Sequence, residues 1–194
     1  MKKVAEITLI FWIMKICATT LGETAGDMLS MTFNIGYGLS SVILLSFFVI
    51  TLIAQLFSKK YHPVLYWSVI LTTSTAGTTI SDYMDRTLGF GYAKGSMLLI
   101  FMLISILVLW YKIEKSLSVE NISSFRPETF YWFTILISNT LGTALGDYLA
   151  DDSGLGFGGG ALLIGSSILG VVLLHFYTKI SKVILFWIAF VLTR

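Results

Sequence analysis

Cysteine, histidine and charge are all scarce in this sequence, and each shortage removes a class of protein. The single cysteine, Cys17, excludes disulfides within the chain and a thiolate metal cluster; lying in mid-span, it reads as a packing residue. His62, in a basic loop, and His175, near a helix end, leave a Cu(I) or structural Zn²⁺ site without support and read as surface and interfacial residues. Only 12% of the residues are charged against 56% apolar, and the mean hydropathy is +0.84, outside the range of ordinary water-soluble domains. There is no basic surface for nucleic acid. Strict apolar–polar alternation is also missing, which argues against the strands of a membrane barrel.

What the chain does contain is a series of apolar stretches long enough to cross a hydrocarbon core of about 30 Å, which takes roughly 20 helical residues. Spans are expected at about 6–29, 37–57, 64–84, 93–111, 129–149, 158–177 and 182–194. They predict an all-α, polytopic transmembrane bundle of seven helices. The opening Met-Lys-Lys imitates a signal peptide, but Lys15, Glu23 and Asp27 interrupt the apolar run and no small-residue cleavage site follows. That stretch therefore reads as a retained first helix.

Within these spans one helix recurs. Counted from a Trp that follows Phe or Tyr, the first copy runs Trp12, Thr20, Gly22, Glu23, Gly26, Asp27, then Gly36-Tyr37. The second runs Trp67, Thr75, Gly77, Thr78, Ser81, Asp82, then Gly91-Tyr92, and the third Trp132, Thr140, Gly142, Thr143, Gly146, Asp147, then Gly156-Phe157. A fourth begins at Phe186-Trp187 and reaches Arg194, at the position equivalent to Thr19. The Trp-to-Trp spacings are 55, 65 and 55 residues, so the extra ten fall between the second and third copies. The expected organisation is repeat 1 over 1–60, repeat 2 over 61–113, a Ser-rich cytoplasmic linker over 114–128, repeat 3 over 129–179 and the start of repeat 4 over 180–194. Two crossings per repeat make the copies parallel rather than inverted.

This pattern resembles a bacterial integral-membrane family catalogued as a repeat of unknown function, with four tandem two-helix copies and one characteristic tryptophan per copy. Trp12, Trp67, Trp132 and Trp187 match that tryptophan, and the resemblance covers essentially the whole chain. It implies eight helices where this chain supplies seven, so the rest of the fourth copy is expected to be lost, or else completed by a partner protomer in a homo-oligomer. It also implies a bacterial cytoplasmic (inner) membrane. Lys2, Lys3, Lys59, Lys60, Lys112, Lys115, Arg126, Lys179 and Lys182 all lie at the N-terminus or between repeats, and the positive-inside rule places that side in the cytoplasm. The four tryptophans then fall at the cytoplasmic ends of their helices, where an aromatic belt is expected.

Helix geometry sorts the repeated residues into faces. With the motif Thr at zero and about 100° per residue, the residue three later lies near 300° and the Asp seven later near 340°, forming one polar stripe. The small residues lie near 200° and 240°, on a separate face suited to close helix contact: Gly22, Gly26, Gly77, Ser81, Gly142 and Gly146. If the repeats surround an axis, Thr20, Thr75 and Thr140 line it deepest, Thr78 and Thr143 lie above with Glu23, and Asp27, Asp82 and Asp147 ring the outer mouth. Hydroxyl and carboxylate oxygens are hard ligands, so Glu23, Asp27, Asp82 and Asp147 are the candidate metal residues, for Mg²⁺, Ca²⁺, Mn²⁺, Na⁺ or protons. The plainer reading stands beside it: aspartates at helix ends act as caps, and threonines in membrane helices bond their own carbonyls.

Glu23 replaces a Thr present in the other two complete copies and lies inside a span, where an ionisable group pairs or faces a cavity. Lys15 and Arg194 are its expected partners, either as a charge cluster joining repeats one and four or as groups that tune a cation site. The Gly-rich run at 154–160 lacks the Lys-Ser/Thr of a phosphate cradle and reads as a tight turn. Together these features point to a transporter or channel-like permease for a hard inorganic cation, with divalent metal (Mn²⁺) export as its specific form, in a lipid bilayer and without a resident cofactor. A non-transporting scaffold or sensor is the alternative. An intramembrane aspartyl enzyme is more remote, because three equivalent aspartates recur near the outer boundary rather than two at mid-depth, and no enzyme activity is expected.

Overall fold

The Trp-led segments and the plain apolar segments both become helices, but they occupy different places. The computed structural model describes residues 2–120 and 122–194, and among them forms seven α-helices and no strand. These are α1 (Leu9–Asp27), α2 (Tyr37–Phe57), α3 (Pro63–Asp82), α4 (Tyr92–Glu114), α5 (Phe125–Asp147), α6 (Gly156–Tyr177) and α7 (Lys182–Leu192). Local chemistry sets several of the ends. Thr8 caps α1 by accepting the Phe11 N–H at 3.3 Å, and His62 Nδ1 accepts the Leu65 N–H at 3.4 Å, just before Pro63 opens α3. At the far end of each repeat two left-handed residues turn the chain: Asn34, Gly89 and Gly154 at φ of 55°, 73° and 78°, then Gly36, Gly91 and Gly156 at 82°, 71° and 65°. Glycine and asparagine adopt that region at least cost, which is why the Gly-aromatic pair recurs there.

In α1, α3 and α5 the regular helix ends at the motif aspartate and continues as a five-residue π-helical turn: Met28–Thr32, Tyr83–Thr87 and Tyr148–Asp152. A π-turn widens the helix, and all three copies place it beside the same aspartate. Such turns are frequent at functional sites.

The Trp-led helices α1, α3, α5 and α7 form an inner ring in that order, and α2, α4 and α6 lie outside it. The three outer helices are long and apolar enough to cross a membrane. Their outward faces expose Leu39, Ile50, Phe101, Ile104, Leu162 and Leu169. The inner helices α1, α3 and α5 match them in length but carry polar side chains, which the ring turns inward, as expected for polar residues within a membrane, whereas α7 is a shorter apolar helix of 11 residues. The outer helices pack along the Trp-led helix of the following repeat: α2 principally along α3, α4 principally along α5, and α6 along α7 as well as against the Tyr148–Asp152 turn of its own repeat. The repeats are therefore interlocked rather than closed two-helix hairpins. The groove between α1 and α3 is apolar, lined by Met14, Cys17, Leu21, Val64, Trp67 and Leu71. Cys17, expected as a packing residue, is exposed there because it sits on the outer face of α1.

The tryptophans do more than anchor. Each stacks against the aromatic residue that precedes the tryptophan of a neighbouring repeat: Phe11–Trp67 at 5.7 Å between centroids, Tyr66–Trp132 at 5.2 Å, Tyr131–Trp187 at 6.2 Å and Phe186–Trp12 at 5.7 Å. The fourth contact returns to the first repeat and closes the ring. Trp132 and Trp187 are buried, so the belt expectation is corrected for them: they hold inter-repeat seams, because the residue before each Trp points to the axis.

Beneath the aromatic layer, the end of the bundle rich in Lys and Arg is capped by residues from both sides of the linker. Lys3 N–H donates to the Ile122 carbonyl at 3.0 Å, and Val4, Ala5, Val119 and Ile122 are buried together. Lys3 Nζ pairs with Glu128 and donates to the Leu56 carbonyl at 2.9 Å. Gln55 Nε2 donates to Glu128 Oε1 at 2.9 Å and to the Lys3 carbonyl at 3.1 Å. Glu128 thus lies within the first turn of α5, which begins at Phe125.

Candidate functional site

Along each inner helix, every fourth residue counted from the one before the Trp faces the shared axis, which gives five levels. The lowest is aromatic: Phe11, Tyr66, Tyr131 and Phe186, all buried, with the Tyr66 and Tyr131 hydroxyls 2.5 Å apart. Above it lie Lys15, Ile70, Ile135 and Phe190, each with no exposed surface. Lys15 Nζ donates to the Phe190 carbonyl at 2.9 Å and to Thr193 Oγ1 at 3.1 Å, and sits 4.5 Å from the Phe190 ring centroid. These two levels leave the axis filled at the basic end.

The third level is Thr19, Ser74, Asn139 and Arg194, and the fourth Glu23, Thr78 and Thr143. Arg194 reaches across both. Its Nε donates to the Asn139 carbonyl at 3.1 Å, and its Nη1 to the Thr19 carbonyl at 2.9 Å and to Ser74 Oγ at 2.8 Å. Nη2 donates to Thr143 Oγ1 at 3.0 Å, to the Ser74 carbonyl at 3.4 Å and to Thr78 Oγ1. Glu23 Oε2 lies 3.9 Å from Nη1, with the Glu23 side chain half exposed. The expected cluster thus unites Arg194 and Glu23, while Lys15 lies one level below the arginine with other partners.

At the fifth level two of the three motif aspartates, Asp82 and Asp147, meet a second guanidinium. Arg86 Nε lies 3.0 Å from Asp82 Oδ1, and Nη2 lies 3.5 Å from Asp147 Oδ2. The Arg86 guanidinium sits 5.9 Å and 5.6 Å from the Tyr37 and Tyr92 ring centroids, within cation–π range. Asp82 is buried, whereas Asp27 and Asp147 are half-buried. Among the described residues no three His, Cys, Asp or Glu side chains gather closely enough to hold a metal ion. Asp85, beyond the span at 64–84, is buried against Gly95 of α4 and accepts from Ser81 Oγ at 3.4 Å. Burial raises its carboxyl above the ordinary range, to about 6.

The deep threonines take another place. Thr75 Oγ1 donates to the Thr72 carbonyl at 3.0 Å and Thr140 Oγ1 to the Leu136 carbonyl at 2.9 Å, while Thr20 is exposed. They lie one residue past the axis-facing position, so their hydroxyls are satisfied by their own helices rather than by the axis. The small face does bring helices together. A side chain on Gly22 would meet Ser74, one on Gly26 Thr75 and Thr79, one on Gly77 Asn139 and Thr140, and one on Gly142 Arg194. Ser81 is buried and bonded to Asp85, whereas Gly146 faces open space. A search for identical residues passes over the third level, because Thr19, Ser74, Asn139 and Arg194 share only polarity and register. It also passes over Arg86, a single residue outside the repeated motif.

Interlocked two-helix units around a polar axis, with three apolar helices of membrane length outside, define a tandem-repeat helical bundle. Residues 10–61, 65–116 and 130–181 each match the family described as Repeat of Unknown Function (DUF347), and the chain belongs to that family. No curated protein and no solved structure matches it.

Proposed function

We propose that this protein is an integral membrane transporter for a hard cation, with its route along the axis between the Trp-led helices. The observation that carries this reading is the pairing of repeat carboxylates with the chain's own guanidinium groups. Asp82 and Asp147, from two different repeats, share Arg86, and Glu23 faces Arg194. Carboxylates that hold a mobile side-chain cation in one state are suited to holding a solute cation in another. The basic end is sealed by the aromatic level and the Lys3–Glu128 cap, which corresponds to a conformer closed on that side. The excess of Lys and Arg there supports a reading in which that end, with the N-terminus, lies on the cytoplasmic side of a bacterial inner membrane. The acidic end then faces outward, and export of a divalent ion such as Mn²⁺ is the specific form of the proposal.

Flux into or out of liposomes, screened across Na⁺, K⁺, Mg²⁺, Ca²⁺ and Mn²⁺, tests it. Asp82→Asn and Glu23→Gln are expected to lower flux of the carried ion at least tenfold with the protein still folded. Unchanged flux in both variants would remove these carboxylates from the route. A non-transporting scaffold is the second reading, favoured by the filled lower half of the axis; no flux of any ion, with assembly of the protein dependent on the Gly22/Gly26 face, supports it.

A further inference from the structure

The level formed by Thr19, Ser74 and Asn139, with Thr78 and Thr143 above, has an unusual donor balance. Three hydroxyl hydrogens are already committed to main-chain carbonyls: Ser74 Oγ donates to the Thr19 carbonyl at 3.2 Å, Thr78 Oγ1 to the Ser74 carbonyl at 3.1 Å and Thr143 Oγ1 to the Asn139 carbonyl at 3.4 Å. Their lone pairs, together with the carbonyls of Thr19, Ser74 and Asn139, are left facing the axis. The enclosure therefore offers acceptors on three helices and suits a ligand that only donates. Glu23, 3.9 Å from Nη1, supplies the opposite charge.

Arg194 shows what shape fits. Its guanidinium directs N–H groups at six acceptors drawn from α1, α3 and α5, with the side chain almost wholly buried. The acceptors are spread around the rim of a planar fork. A bare metal ion needs its ligands drawn in around one point at about 2.0–2.6 Å. Gly142 completes the fit, since any side chain there would run into the Arg194 stem.

We propose that this enclosure is a binding site for a guanidinium-type cation, with Arg194 as its tethered occupant and a free guanidinium ion as the ligand it accepts once that side chain is withdrawn. The inference takes the axis of the transport reading as its setting and gives that axis a ligand class at one level. Arg194 then acts as an internal competitor, holding the enclosure shut until a cation or a movement of α7 displaces it. Binding at this level does not itself require flux.

The test uses the purified full chain in detergent. Arg194→Ser places in the fourth copy the residue that the second copy carries at Ser74, and removes the occupant without adding bulk. Guanidinium chloride at about ten times its Kd is expected to raise the melting temperature of this variant by roughly 3–5 °C over an equal concentration of NaCl, and to leave the wild type unshifted. Thr78→Val with Thr143→Val in the Arg194→Ser background is expected to abolish the response. Equal shifts in wild type and variant, or a shift with MgCl₂ or MnCl₂ that matches guanidinium, overturns the proposal. If Arg194→Ser does not fold, Arg194→Asn, which copies Asn139, carries the same measurement, and absence of a guanidinium-dependent shift there overturns it. Liposome flux is read separately: binding without flux of any cation removes transport and keeps the enclosure, and metal flux without guanidinium binding does the reverse.

Discussion

Gly22 and Gly146 belong to the same small face, yet a β-carbon would meet very different surroundings at the two positions. At Gly22 it would lie 2.5 Å from Ser74 Cβ, too close for any packing, whereas at Gly146 nothing comes within 4 Å. Gly22→Ala must push α1 from α3 and is expected to cost about 1–3 kcal/mol. Gly146→Ala is expected to be neutral or to stabilise by up to ~1 kcal/mol, since alanine is the better helix former. Thermal unfolding of the two purified variants checks this; equal shifts would show that Gly22 is not a contact point. The same one-residue precision separates Thr75, bonded to its own helix, from Ser74, which bonds across to α1.

At the scale of elements, the cap at the basic end rests on one buried carboxylate. Glu128 has no exposed surface, pairs with Lys3 and accepts from Gln55, so it joins the N-terminal segment, the end of α2 and the start of α5. Glu128→Ala leaves the Lys3 ammonium without its counter-charge and is expected to destabilise the protein by about 3–5 kcal/mol. Glu128→Gln keeps the shape and one acceptor oxygen, which can still receive the Lys3 ammonium, and should cost less. Chemical unfolding followed by tryptophan fluorescence reads the difference, because Trp110, Trp132 and Trp187 lie in the core above the cap. A ranking with Gln worse than Ala would mean that neither the shape nor the acceptor of this side chain holds the cap together. The π-helical turns act at the same scale: they end α1, α3 and α5 beside the motif aspartates and carry Asp85 and Arg86 back toward the bundle.

For the whole molecule, the interlocked ring makes a statement about sidedness. Residues 59–62 and 115–120 lie at one end of the bundle, and residues 33–36, 88–91 and 153–155 at the other. In a Cys17→Ala background, single cysteines at Lys60 and Ser118 are expected to react with a membrane-impermeant thiol reagent only from the cytoplasmic side. Cysteines at Asn34, Leu88 and Ser153 should react only from outside. Labelling of both groups from one side would overturn the parallel arrangement of the repeats.

Much of this was legible in the chain itself. Composition and run length determined a membrane-type, all-helical protein, and the equal Trp-to-Trp spacing determined its repeats and the position of each turn, because these depend on local periodicity and on glycines needed at positive φ. The small face at Gly22 and Gly77 followed from the same helical arithmetic. Tertiary structure alone decided which residues share a level. A rotation of one residue, about 100°, moves Thr75 off the axis and Ser74 onto it, and nothing within a single repeat sets that rotation. It is set by how each helix docks on its neighbours, through the Phe11–Trp67 and Tyr66–Trp132 contacts and the outer helix of the preceding repeat. That docking also brings Arg86 to Asp147, across the neighbouring α3 and α5, and Arg194 to Ser74, from α7 across the axis to α3, pairs separated by 61 and 120 residues.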